Sequence, residues 1–215
     1  ALVWDVRPAD AFAKGHIPGA VNIGDAPALL RDANTEDFIA TVRIEQLFGA
    51  AGLDPAREIV VYGSRGGWPA YFGQYALQYF GARNTRVFHD GIEAWGGAGR
   101  ALAQGPARPT PVALRLDPEA AARVSVSTRD MIGRLSRSDV QILDVRTARE
   151  FSGEDIRAIR GGHIPGAINI PYEANWVDPD TPQKLARREV ANNAGMSLKP
   201  TSALKALYAK LDPEK

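Results

Sequence analysis

A nine-residue segment that occurs twice constrains the fold of this chain more than any other feature. The run Gly-His-Ile-Pro-Gly-Ala-Val-Asn-Ile at residues 15–23 returns at residues 162–170 with one Val-to-Ile difference. Asp-Val-Arg precedes each run, at residues 5–7 and 144–146. Two matched motifs in the same order within 215 residues indicate a duplicated domain.

The duplication predicts two domains joined by a short linker. Residues 105–111 carry three prolines, which block helix formation and weaken strand pairing, so they are predicted to form the linker. The first domain is then 1–104 and the second 112–215. Each alternates short Val/Ile-rich strands, such as 59–62, with helical stretches. This alternation is typical of an α/β fold with a parallel sheet flanked by helices.

The second copy is predicted to be truncated. Leu-Asp-Pro at residues 53–55 precedes the strand at 59–62, and the same tripeptide recurs at 211–213, close to Lys215. The counterpart of that strand is therefore expected beyond the chain, supplied by following residues or by a second fragment. Ala1 is not an initiator Met, so residues are also expected before it.

Composition excludes several classes of function. Lys and Arg total 26 against 25 Asp and Glu, so no basic field attracts nucleic acid. No apolar run approaches the ~18–20 residues of a membrane span. The absence of Cys excludes disulfides, thiolate metal sites and a cysteine nucleophile within these residues. We expect no metal, no cofactor, no nucleic-acid partner and no membrane partner.

The Asp-Val-Arg motif follows a predicted strand in each copy. Ligands of open parallel sheets bind beyond the carboxyl ends of the strands, which places Asp5, Arg7, Asp144 and Arg146 on the side of a site. The other interpretation is local pairing, in which each Asp accepts hydrogen bonds from the nearby Arg and backbone. The sequence favours local pairing over direct chemistry.

His16 and His163 hold the same place in the two repeated segments. A side chain that titrates near neutrality is suited to acid–base chemistry. The alternative is a structural role, in which each His ties its Pro-Gly turn to the preceding Asp. The identical setting in both copies favours the structural role.

A glycine-rich loop follows the longest predicted strand and leads into a predicted helix. Its residues are Gly63, Ser64, Arg65, Gly66 and Gly67. Successive backbone amides at a helix N-terminus favour anion binding, whereas an ordinary strand–helix connection also uses glycines for close packing. No Gly-Lys-Ser/Thr follows, so this is not a nucleotide-binding loop, and Ser64 has no evident base.

These motifs, together with Asp-Gly-Ile-Glu-Ala-Trp at residues 90–95, resemble the rhodanese family and its tandem sulfurtransferases, which act on thiosulfate or 3-mercaptopyruvate. The resemblance implies five parallel strands per domain and a Cys nucleophile in the loop after the strand that matches 59–62. It also implies that this loop stabilises a thiolate and then its persulfide. Gly63 stands at the position of that Cys, so the first copy resembles the non-catalytic half, and the loop of the second copy is expected beyond Lys215.

The resemblance also names supporting residues in the second copy. Mercaptopyruvate enzymes usually carry an Arg where Glu150 stands here, which favours thiosulfate as the donor, although the neighbouring Arg149 is a possible substitute. Trp176 either lines a cleft between the domains or packs as a core aromatic. The predicted substrate-binding or supporting residues are Asp144, Arg146, Arg149 and Trp176.

Two functions remain open from the sequence. In the first, the chain is the larger part of a thiosulfate:cyanide-type sulfurtransferase that takes sulfur from a small anionic donor and passes it to cyanide or a thiol. In the second, it is a non-catalytic binding or regulatory module of the same fold. The residue at the nucleophile position of the second copy discriminates between them.

Overall fold

The computed structural model describes residues 1–117 and 119–214, which form two compact units, Ala1–Ser125 and Val126–Lys215. The first unit contains a parallel sheet of four strands in the order β2-β1-β3-β4. The strands are β1 Leu2–Asp5, β2 Val21–Asn22, β3 Ile59–Tyr62 and β4 Thr85–Phe88. The helices are α1 Ala9–Lys14, α2 Ala26–Leu30, α3 Thr41–Ala50, α4 Trp68–Tyr79 and α5 Gly91–Gly97, and a 3₁₀ helix follows at Ala120–Arg123.

The predicted α/β fold with a parallel sheet is confirmed. The resemblance implied five strands, and the described residues of the first unit form four, with an isolated antiparallel bridge between His16 and Ala103. β3 reads Ile-Val-Val-Tyr, a run of β-branched and aromatic residues suited to a central strand. It pairs with β1 through Trp4–Val61 and Asp5–Tyr62, which brings the carboxyl ends of both strands to the same edge.

Residues 112–117 and 119–124 belong to the first unit. The amide of Val112 donates to the carbonyl of Gly49 at 2.9 Å, and Leu116 and Ala120 are buried. The first compact unit therefore runs through Ser125. The predicted limits of the duplicated domains, 1–104 and 112–215 around a linker at 105–111, refer to the repeat in the sequence and stay a prediction.

The second unit repeats the beginning of the first. Its two strands pair in parallel in the register of β1 and β2. They are β5 Leu143–Asp144 and β6 Ile168–Asn169. The helices are α6 Thr128–Arg134, α7 Ala148–Ser152, α8 Thr181–Ala186 and α9 Thr201–Leu207, with 3₁₀ helices at Tyr172–Asn175 and Ala194–Met196.

Burial separates the two copies. Val6 and Trp4 are 1% and 0% exposed, because α4 packs over them at Gly73 and β3 pairs with the edge of β1. The matching residues of the second copy, Val145 and Leu143, are 46% and 37% exposed. Among residues 1–117 and 119–214, none of the helices combines the length and apolar character needed to cross a lipid bilayer.

Candidate functional site

In the first unit, Asp5 organises the end of β1. Its fully buried carboxylate accepts hydrogen bonds from the Arg7 amide at 3.0 Å, from Nε at 3.0 Å and from Nη2 at 2.7 Å. The same Nη2 donates to the carbonyl of Gly15 at 2.7 Å. The guanidinium thus joins the Asp-Val-Arg motif to the repeated segment. This is the local pairing that the sequence favoured.

The second copy builds the same network. The carboxylate of Asp144 accepts from the Arg146 amide at 2.9 Å and from Nη2 at 2.6 Å, and Nη2 donates to the carbonyl of Gly162 at 2.8 Å. The hydrogen bonds from Arg146 hold the pKa of Asp144 below its usual range. The side chain of Arg146 is 42% exposed, against 14% for Arg7. The two predicted residues therefore lie together, with their polar groups facing the repeat.

Two asparagines complete this frame, and the motif-based interpretation missed them. Asn22 Nδ2 donates to the carbonyls of Asp5 and Arg7 at 2.9 and 2.7 Å. Asn169 makes the equivalent bonds in the second copy at 3.0 and 2.9 Å. The signal was present, since the Asn recurs within the nine-residue repeat.

The two histidines make equivalent contacts in the two copies, with a hydrogen-bond partner that differs from the expected Asp. His16 Nδ1 is 3.0 Å from the carbonyl oxygen of Phe12, and the imidazole stacks on the Phe12 ring at 3.7 Å. His163 makes the same contacts with Phe151, at 2.8 and 3.6 Å. Each His thus joins the repeated segment to the helix before it, while the Arg reaches the Asp.

Backbone hydrogen bonds, one within the loop and one to His89, hold the glycine-rich loop of the first unit. The amide of Gly66 donates to the carbonyl of His89 at 3.1 Å, and that of Gly67 to the carbonyl of Ser64 at 3.0 Å. The loop thereby turns from β3 into α4, as a strand–helix connection does. Anion binding by residues 63–67 stays a prediction.

Two carboxylates also contact this loop, one from Asp90 directly before α5 and one from Glu93 within it. The amide of Arg65 donates to Glu93 Oε2 at 2.9 Å, and Arg65 Nε donates to Asp90 Oδ1 at 3.1 Å. The sequence carried no signal for the contact with Glu93, because the partners are 28 residues apart. Close by, the hydroxyl of Tyr71 is hydrogen-bonded to His89 Nδ1 at 2.7 Å. Partial burial and the charge of Asp90 raise the pKa of Tyr71.

Gly63 stands where the resemblance places the nucleophile. A Cβ there would lie 3.3 Å from Val6 Cγ2 and 3.9 Å from Ala70 Cβ, so a small side chain fits after a slight shift of Val6. Gly91 is under stronger constraint, since its φ is +56° and a Cβ there would collide with the Gly63 carbonyl oxygen. The glycine lets α5 begin directly against the loop.

The contacts recorded for Arg149 and Trp176 are with residues other than the Asp144–Arg146 pair. The Arg149 side chain is 75% exposed on α7, with Nε 3.8 Å from the carboxylate of Glu154. Trp176 is buried at 4% exposure and packs edge-to-face with Tyr172, with 5.5 Å between the ring centroids. Its backbone forms an isolated antiparallel β-bridge with Leu198. Of the two interpretations of Trp176, these contacts correspond to the packed aromatic. A role of either residue in substrate binding stays a prediction.

Glu150, which the resemblance singled out, closes the N-terminus of α7. Its Oε2 accepts from the amide of Thr147 at 3.1 Å and from its hydroxyl at 2.8 Å, and the Glu150 amide donates back to the hydroxyl at 3.2 Å. This reciprocal arrangement is a capping box. The carboxylate is therefore committed to the helix cap.

A cavity of about 610 Å³ lies beside the repeated motifs of the second unit, lined mainly by residues 142–146 and 161–165. In the first unit this side of the repeat is covered, since the Tyr62 hydroxyl accepts from the Ile17 amide at 3.0 Å. Burial and the hydrogen bond with Asp5 raise the pKa of Tyr62. The second copy thus presents an open space where the first carries the end of β3.

Comparison with known proteins identifies the fold and relatives of this chain. A family model described as "Rhodanese-like domain" matches residues 1–98 and 127–199. A thiosulfate sulfurtransferase of Corynebacterium glutamicum is 32% identical over 212 residues, which cover 93% of this chain and 64% of that protein. One of Azotobacter vinelandii is 34% identical over 201 residues, covering 88% and 69% respectively. The chain therefore spans about two thirds of the length of these relatives.

Solved structures match over nearly the whole chain. SseA from Escherichia coli, described as a 3-mercaptopyruvate sulfotransferase, has a TM-score of 0.71 at 24% identity over 97% of this chain and 76% of its own. Wild-type EanB has a TM-score of 0.74 at 20% identity over 97% of this chain and 51% of its own. At these identities the matches show a shared fold.

Proposed function

This chain belongs to the rhodanese-like domain family, and from that premise we propose that it is the larger part of a thiosulfate:cyanide-type sulfurtransferase working through a cysteine persulfide. The match to two thiosulfate sulfurtransferases over 93% and 88% of its length supports this reaction class. The chain contains no Cys. The nucleophile is therefore proposed to lie in a loop that follows Lys215.

The open edge of β5 is the observation that carries this proposal. β1 lies between β2 and β3, whereas within the described residues β5 has β6 as its single strand neighbour. The exposed Val145 matches the buried Val6, which contacts the loop after β3 in the first unit. A further parallel strand would pair with this open edge of β5. The loop that follows that strand would then lie over Val145.

The C-terminal residues lie at the start of this edge. In the first unit, the pairing of β1 with β3 begins where the Leu2 amide donates to the Glu58 carbonyl at 2.8 Å. Gln141 occupies the place of Leu2, and its side chain donates to the Asp212 carbonyl at 2.6 Å and accepts from the Asp212 amide at 3.0 Å. A segment continuing from here would run parallel to β5, as β3 does to β1.

The proposed chemistry has two balanced half-reactions. The cysteine thiolate attacks the sulfane sulfur of thiosulfate, the sulfur–sulfur bond of the donor breaks, and sulfite leaves with the electron pair. Cyanide then attacks the outer sulfur of the persulfide, which forms thiocyanate and returns the thiolate. Backbone amides at the N-terminus of the following helix would favour both anions.

We assign separate roles to the four predicted residues. Asp144 and Arg146 hold the strand end to the repeated segment, and Trp176 is a packing residue of this unit. Arg149, which is highly exposed, supplies positive potential for a dianionic donor. Glu150 stands where mercaptopyruvate enzymes usually carry an Arg, and its carboxylate caps α7, so no guanidinium at this position holds a substrate carboxylate, which supports thiosulfate over 3-mercaptopyruvate.

Sulfur transfer by the longer protein tests this function. A protein that continues past Lys215 should form thiocyanate from thiosulfate and cyanide, and its intact mass should rise by one sulfur atom after thiosulfate alone. The 215-residue chain should do neither. A Gly, Ser or Asp at the nucleophile position, or full activity after Cys→Ser, would overturn the proposal. The first result would instead support the non-catalytic module, whereas the second would place the activity on a group other than that cysteine.

A further inference from the structure

A carboxylate of the protein itself, that of Glu93, is hydrogen-bonded to the glycine-rich loop of the first unit. Glu93 Oε2 accepts the amide of Arg65 at 2.9 Å, and Asp90 Oδ1 accepts Arg65 Nε at 3.1 Å. One carboxylate therefore meets the backbone amide of Arg65 and the other its guanidinium, at the place where the family resemblance puts a thiolate and an anionic substrate. The Arg65 side chain is 17% exposed, so solvent screens this arrangement only in part.

The backbone holds Glu93 in this position. The amide of Ile92 donates to the carbonyl of Gly63 at 3.1 Å, which fixes the first turn of α5 against the loop. Gly91 permits the approach, because any side chain there would meet the Gly63 carbonyl. Glu93 follows within the same turn, and its carboxylate reaches the Arg65 amide without leaving the helix.

We infer that Glu93 closes the loop of the first copy to anionic sulfur compounds such as thiosulfate. Its carboxylate occupies the Arg65 amide that an incoming anion would need, and its charge repels that anion. The inference goes beyond the proposed function, since it concerns residues 63–67 and requires no cysteine. It makes Glu93 a specificity-determining residue that directs donors away from the first copy.

The closure has a consequence for Gly63. A thiol restored there would lie in the loop whose Arg65 amide is held by the carboxylate of Glu93, and nearby negative charge disfavours a thiolate. Loss of the nucleophile and occupation of the loop by a carboxylate are thus two separate changes. Reversing the first alone should not restore a reactive thiol.

Thiosulfate binding to the 215-residue chain tests the inference, read from the amide resonance of Arg65 by ¹H–¹⁵N NMR. In Glu93→Ala, the vacated amide should shift in a saturable manner, with an affinity at least ~10-fold above wild type. Glu93→Gln keeps an acceptor but loses the charge, so it should fall between the two. Glu58→Gln removes the same charge at the opposite end of β3, where Glu58 pairs with Arg86, and should behave as wild type.

Two outcomes of this titration would overturn the inference. One is a folded Glu93→Ala protein, verified by unchanged amide shifts in β3, that binds thiosulfate no more tightly than wild type. The other is an equal gain in Glu58→Gln, which would reduce the effect to net charge. Neither outcome touches the proposed sulfur transfer, which depends on the second copy.

A thiol placed at Gly63 gives a second and independent measurement. The pKa of the introduced thiol, read from the pH dependence of its alkylation rate, should be about one unit lower in Gly63→Cys/Glu93→Gln than in Gly63→Cys. Equal thiol pKa values in the two folded variants would show that Glu93 does not control the loop.

Discussion

The duplicated Asp–Arg pair allows one substitution to be measured in two environments of the same chain. Arg7→Met and Arg146→Met each remove a guanidinium and keep most of the apolar stem. In the first unit the substitution leaves the fully buried carboxylate of Asp5 and the carbonyl of Gly15 without the guanidinium that bonds both. In the second unit the Arg146 side chain is already 42% exposed, so water can replace it.

These environments set the expected magnitudes. Removing one partner of a buried ion pair costs about 3–5 kcal/mol, because an uncompensated charge remains in the interior. Removing a partly exposed partner costs about 1 kcal/mol. We therefore expect Arg7→Met to lower the free energy of unfolding of its unit by about 2–4 kcal/mol more than Arg146→Met lowers that of the other unit.

Amide hydrogen exchange followed by mass spectrometry resolves the two units within one protein, which a single melting curve does not. Protection of β1 and β3 should fall by more than about 100-fold in Arg7→Met, since 1.4 kcal/mol is a factor of ten. Protection of β5 and β6 should fall by about 10-fold or less in Arg146→Met. Equal losses in the two units, or a negligible loss in Arg7→Met, would refute the reasoning from burial.

Three further predictions concern single groups. The pKa of Asp144 is lowered in the folded protein, so its contribution to stability is present above the unfolded carboxyl pKa of about 3.9 and is lost as the pH falls through the lower folded value. Asp144→Asn should therefore flatten the acid limb of a stability–pH curve of the second unit. An unchanged acid limb would contradict this prediction. Gly49→Ala places a Cβ 2.7 Å from the Val112 carbonyl oxygen, which should destabilise the packing of residues 112–117 by about 1–3 kcal/mol and quicken their amide hydrogen exchange. Unchanged exchange in these residues would show that the contact is not tight. Tyr71 should ionise above the ordinary tyrosine pKa, and an ultraviolet titration compared with Tyr71→Phe isolates its phenol; an ordinary titration would argue against its partial burial.

Much of the site frame was predictable, because it is built from neighbours in the chain. The Arg7 amide bonds an Asp two residues away, and its guanidinium reaches Gly15 eight residues on. The His163 ring, in turn, stacks on Phe151 twelve residues before it. The predicted hydrogen-bond partner of each His, the preceding Asp, was wrong. The observed partner is a backbone carbonyl, which every residue carries and which the residue pattern therefore does not indicate.

The repeat and the composition determined the duplicated α/β fold, the parallel pairing and the lack of a cysteine within these 215 residues. Equal local sequences make equal local hydrogen bonds, so both copies form the same Asp–Arg network in either surrounding. Only the tertiary structure decided that Val6 is buried while Val145 is exposed, and that Glu93 reaches the amide of Arg65. Such contacts depend on the packing of elements distant along the chain, which no short motif encodes.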